Sequence, residues 1–89
     1  MTSRARQVLE QISKGKTTWG PADNSAEAHE RFQSEAEDLM EILDNLKAYD
    51  FIGDYTFKRE SYSGKRHIVR VLITKGLTFR GQDENQWPS

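Results

Sequence analysis

Cysteine is absent from this chain, and proline occurs only twice. No disulfide can staple the fold, and no thiolate can hold a metal ion. Long apolar runs are missing too. No stretch approaches the roughly 20 residues that a membrane-spanning helix needs. Arg4 and Arg6 give the first residues positive charge, but no secretory apolar run follows them. These absences lead to the expectation of a cytoplasmic protein with no membrane partner, and the chain's compactness to that of a bacterial or phage-borne one. Apolar residues make up 35% of the 89, and the mean hydropathy is −0.85, so there is material for one thin core. Nine aromatic residues offset this, because each ring can bury a large area.

Charge is abundant and unevenly placed, although the net value is only −1. Residues 1–16 hold four basic groups and one acidic. Residues 17–53 hold two basic and nine acidic, and residues 54–80 hold seven basic and two acidic. The molecule is therefore electrically bipolar, and clustered charge steers partners whatever the total.

The apolar spacing of Val8, Leu9 and Ile12 predicts a first helix over residues 3–14, capped by Ser3 and ended by Gly15. Residues 15–23 contain Gly20-Pro21 and read as a loop, with Trp19 expected to pin it to the core. Over residues 24–50, Phe32, Ala36, Leu39, Leu43 and Leu46 recur at helical spacing behind a capping box, Asn24 to Glu27. A second box, Ser34 to Glu37, would restart the helix if a turn lay near Gln33-Ser34. One long helix and two abutting helices both fit. Gly53 is expected to stop the helix. Residues 54–60 and 67–73 then alternate as strands about the turn-forming Ser61-Tyr62-Ser63-Gly64-Lys65. Strict alternation puts Val69, Val71 and Ile73 on one face, and Ile68, Arg70 and Leu72 on the other. Thr74 is expected to cap a short final turn. The reading is a single α+β domain over residues 1–80, followed by a disordered tail, 81–89.

Motifs of enzymes fail on inspection. Gly15-Lys16-Thr17 imitates the end of a phosphate-binding loop, but Glu10 stands where its first glycine must be, and a helix precedes it. His29-Glu30 opens like a zinc-protease helix, but Gln33 occupies the position of the second histidine. His67, beside Arg66 on a strand, suits a cationic surface better than a nucleophile's base. The expectation is a protein that is not an enzyme and has no cofactor, metal or catalytic residue.

One constellation remains. Lys58, Arg59, Lys65, Arg66, His67 and Arg70 gather within thirteen positions around a turn. Long cations on a ribbon suit phosphate oxygens, and the interleaved Tyr55, Phe57 and Tyr62 suit stacking on bases. An ordinary edge hairpin protected from aggregation by its charges is the plainer alternative.

The element order, and two short stretches, carry a resemblance. Residues 43–52, Leu-Asp-Asn-Leu-Lys-Ala-Tyr-Asp-Phe-Ile, and residues 71–79, Val-Leu-Ile-Thr-Lys-Gly-Leu-Thr-Phe, resemble the recognition-helix end and the post-wing stretch of winged-helix (winged helix-turn-helix) domains. The likeness is to regulators of the multiple-antibiotic-resistance type and covers residues 35–80. It implies a small winged-helix-like domain, with N-terminal helices, a two-stranded antiparallel hairpin as the wing (residues 54–73) and a short C-terminal turn. It also implies DNA binding in transcriptional or plasmid and phage regulation, with residues 34–49 in the major groove. The pattern breaks where Glu37, Asp38, Glu41 and Asp44 occupy the face that should meet DNA. Carboxylates there oppose a polyanion. Two functions are therefore expected. One is DNA binding led by the basic hairpin and assisted by Arg4, Arg6, Lys14 and Lys16. The other is protein interaction, in which Glu37, Asp38, Glu41 and Asp44 meet a basic partner or the chain forms a homodimer.

Overall fold

The computed structural model describes residues 3–88 apart from Ser63, and the side chain of Tyr62 lies outside the description. The first helix, α1 (Ser3–Ser13), buries Ala5, Val8, Leu9 and Ile12. It ends in a left-handed turn at Gly15 (φ 98°), where the amides of Gly15 and Lys16 return to the carbonyls of Ile12 and Gln11. Gly15-Lys16 is thus a helix cap, which explains its superficial likeness to a phosphate loop.

The chain then forms β1 (Thr18–Trp19), a two-residue strand inside the segment expected to be a loop. Trp19 does pack against the core, and its indole N–H donates to Gln11 at 3.4 Å. Next comes α2 (Ala26–Ala48), 23 residues without interruption. At 1.5 Å per residue that is about 34 Å of rod. Phe32, Ala36, Leu39, Leu43 and Leu46 form its buried stripe. Its cap is Ser25, one residue later than the expected Asn24, with Ser25 Oγ accepting from the Ala28 amide at 3.1 Å. Asp23 in turn is held below the usual carboxylate range by the Ser25 hydroxyl first and then by the Ser25 amide, which donates to it at 2.7 Å. Residues 33 and 34 do not turn, so the second capping box is a stretch of helix surface. The helix stops before Gly53. Asp50 takes the left-handed conformation (φ 64°), and the Asp50 and Phe51 amides close on Lys47 and Leu46. The buried Phe51 and Leu46 supply the apolar contact of that cap.

Two long strands follow, β2 (Ile52–Tyr62) and β3 (Lys65–Leu77), giving an antiparallel sheet of order β1-β3-β2. Three strands are present where two were expected. Helices α1 and α2 cover one face, and the core joins Leu9, Leu43 and Leu46 to Ile52, Ile68 and Val71. β3 runs past Thr74, so the final turn is capped by Thr78 instead, whose hydroxyl donates to the Asp50 carbonyl and accepts from the Gly81 amide.

Residues 81–88 correct the expectation of a disordered tail; Ser89 lies outside the description. The short helix α3 (Phe79–Gln82) and a single 3-10 turn (Glu84–Gln86) bring Trp87 into the core, where it is 6% exposed. Its indole N–H donates to Gly81 O at 2.7 Å, and Arg6 stacks over the ring at 5.4 Å. A polar composition hides one large anchor. Among the described residues no helix is long and apolar enough to cross a membrane.

Candidate functional site

The hairpin is built on the register Tyr55↔Ile73, Phe57↔Val71, Lys58↔Arg70, Arg59↔Ile68, Glu60↔His67 and Ser61↔Arg66. Gly64, in the left-handed region (φ 78°), belongs to the tip. Residues directly opposite each other share a face. Tyr55, Phe57 and Arg59 therefore lie with Ile73, Val71 and Ile68 on the side of α2. Thr56, Lys58 and Glu60 lie with Leu72, Arg70 and His67 on the side turned away from it.

Register shifts interrupt this ladder after Lys58 and after Asp54, leaving Val69 and Thr74 as extra residues on β3. The first shift overturns the expected face assignment. Ile68 and Val71, three apart, are both buried, while Arg70 is exposed. Gln33 holds the displaced backbone in place. Its side-chain amide donates to Ile68 O and accepts from Ile68 N, both at 2.8 Å, and also donates to His29 O at 2.9 Å. One glutamine on the helix thus supplies the pairing that β1 is too short to give. Nothing in the sequence singles out Gln33, because a mid-helix glutamine carries no signal of a distant strand.

The six expected basic residues are brought to one ribbon but not to one face. Lys58, Arg70, His67 and Lys65 belong to the side away from α2, whereas Arg59 and Arg66 belong to the α2 side. Lys58, Arg59, Lys65, Arg66 and Arg70 are exposed and His67 is half-buried. Arg59 lies 5.1 Å over the Phe57 ring, a cation–π contact on a ring that is 37% exposed. None of the ion pairs among the described residues engages Lys58, Lys65, Arg66 or Arg70. Tyr55, by contrast, belongs to the core side. Burial and then the hydrogen bond it donates to Asp44 (2.5 Å) push its phenol up to about 12. Beside the ribbon, a depression between residues 21–24 and the hairpin is lined by Lys58, Glu60, Val69 and Arg70, with His29 at its back.

The other charged residues divide. Arg4 pairs with Asp38 at 3.5 Å, Arg6 serves Trp87 and Pro88, and Lys16 stands over Trp19 at 5.8 Å. Arg4, Arg6 and Lys16 thus have structural partners of their own, while Lys14 is exposed. Among the four acidic residues of the expected protein-binding face, Asp38 and Asp44 are similarly engaged, while Glu37 and Glu41 are exposed one turn apart. Lys47 donates to Asp54 at 3.0 Å and holds that carboxyl below its usual range. Among the described residues no cluster of three His, Asp or Glu side chains is disposed to hold a metal ion.

Compared with known proteins, the chain matches no family model, no curated sequence and no solved structure.

Proposed function

We propose that this chain is a small nucleic-acid-binding protein, not an enzyme, that contacts DNA phosphates through the β2–β3 hairpin in a transcriptional or plasmid/phage regulatory role. On this reading the domain is winged-helix-like, the hairpin is its wing, and the wing leads the docking. One observation carries the proposal. Lys58, Lys65, Arg66 and Arg70 are exposed on a long ribbon and stand outside every ion pair among the described residues, which leaves their charge available to phosphates although Glu60 shares the face of Lys58 and Arg70. A two-stranded ribbon also has the width to enter a major groove. Helix α2 takes no part, since an uninterrupted rod with Glu37 and Glu41 on its surface repels the duplex.

Binding to a short duplex, followed by fluorescence anisotropy across a salt series, tests this. The affinity of the wild type is expected to fall steeply with salt. Lys65→Ala/Arg66→Ala should lower the log–log slope by about 2, near 0.9 for each phosphate no longer neutralised. Circular dichroism should stay unchanged, because both side chains are exposed at the tip. Absence of salt-sensitive binding to duplex or single strands would sink the proposal.

A second reading has its own support. Glu37 and Glu41 are exposed and outside every ion pair among the described residues, so α2 offers a face to a basic protein. Recovery of a partner that is lost with Glu37→Lys/Glu41→Lys, and kept with the tip variant, would favour it.

A further inference from the structure

β2 is the terminal strand of the sheet, eleven residues long, and among the described residues no strand pairs with its other side. Which of its backbone groups face that opening follows from the register. The Ile73 amide donates to Thr17 O on the β1 side at 2.8 Å, so Ile73 turns its polar groups away from β2. Its opposite residue, Tyr55, must then turn its own N–H and C=O away from β3, toward the open edge. The hydrogen bonding of Tyr55 agrees in direction: its amide donates outward to the side chain of its neighbour Asp54 at 2.9 Å, a bond that pairing with another strand displaces. Two residues on, Phe57 presents its N–H and C=O to the same opening.

The sequence along this edge is Asp54-Tyr55-Thr56-Phe57-Lys58, an acid and a base set symmetrically about two aromatics and a central threonine. We infer that β2 is a self-complementary edge, which pairs antiparallel with β2 of a second copy about a two-fold axis through Thr56. In that register Tyr55 lies opposite Phe57 of the second copy, and the two exchange both outward-facing backbone hydrogen bonds. Asp54, exchanging its bonds to Lys47 and to the Tyr55 amide, lies opposite Lys58 of the second copy, once on each side of the axis. The pairing brings the exposed Phe57 ring against a second aromatic and joins two three-stranded sheets into one. A free edge of this length is otherwise a liability, and an isologous contact closes it without leading to fibres. Resting on the nucleic-acid reading, one consequence follows: the two basic tips would stand about 40 Å apart at 3.3 Å per residue, comparable with one helical turn of duplex.

The test uses the full chain without nucleic acid, in sedimentation equilibrium over a concentration series. The wild type is expected to reach a dimer. Asp54→Lys alone, or Lys58→Asp alone, places like charges opposite each other twice per dimer and should weaken it about tenfold. The double variant Asp54→Lys/Lys58→Asp restores opposite charges and should recover most of the loss. Phe57→Pro removes one outward N–H while leaving the β3 ladder its bonds, and should abolish the dimer. Circular dichroism identifies any variant that fails to fold. A wild type that stays monomeric at every concentration overturns the inference, as does a dimer indifferent to both single reversals. The two proposals fail separately: a monomer that binds DNA sinks only this one, and a dimer without affinity for DNA sinks only the other.

Discussion

Asp50 is a side-chain-bearing residue in a backbone conformation that favours glycine, and it stands at the negative end of the α2 dipole. Both facts act against the aspartate. Asp50→Gly is therefore expected to raise stability by up to about 1 kcal/mol, and Asp50→Val to lower it by a similar amount or more, in urea unfolding. Tyr55 gives a pH dependence of definite sign. Its phenol ionises near 10 in the unfolded chain and is pushed up to about 12 in the fold, so the neutral form is the stabilised one. That contribution is complete below pH 10 and is lost as pH rises toward 12. Spectrophotometric titration should find one tyrosine ionising at about 12, and Tyr55→Phe should remove that step and flatten the alkaline loss of stability. Asp54 acts in the opposite direction. Its depressed carboxyl helps the fold above its unfolded value near 3.8, and the benefit fades as pH falls further.

At the scale of elements, the segments with strong periodicity are legible in the sequence and the devices joining them are not. Leucine spacing locates α2, and β-branched alternation locates the hairpin. The end of α2 escapes because Gly53 is the conspicuous breaker, while an aspartate in the left-handed region leaves almost no trace in sequence. The face of Ile68 escapes because a bulge shifts the period by one without any glycine to announce it. Charge clustering points to Lys58, Arg59, Lys65, Arg66 and Arg70 as one group, but only the register divides them between two faces. The C-terminal segment is disordered by composition, yet Trp87 anchors it. Trp87→Ala, removing a side chain 6% exposed together with its bond to Gly81 O, is expected to cost about 3–5 kcal/mol, read from denaturant midpoints. Gly81→Ala should be comparably harmful, since a methyl there would lie 1.9 Å from the Phe51 carbonyl oxygen. Gln33→Ala should leave α2 helical and yet speed hydrogen exchange at Ile68, because the clamp on that amide is gone.

The whole molecule is elongated, 44 × 22 × 20 Å. Its charge follows its architecture in part. The acids of α2 face outward, and six exposed cations (Lys58, Arg59, Lys65, Arg66, Arg70 and Lys75) share the β2–β3 ribbon, while Arg4, Lys14, Lys16, Arg31, Lys47 and Arg80 are spread over the rest of the surface. Such a dipole orients the molecule before contact with any polyanion. On the proposed DNA-binding function, the ribbon leads and the helix, despite its position in the element order, stays away from the groove. A chemical-shift titration of the labelled protein with a short DNA duplex tests this directly. The expected result is that amide signals between residues 58 and 70 move with added duplex while those of residues 34–48 stay in place. Movement concentrated in residues 34–48, with a hairpin that does not respond, would contradict it.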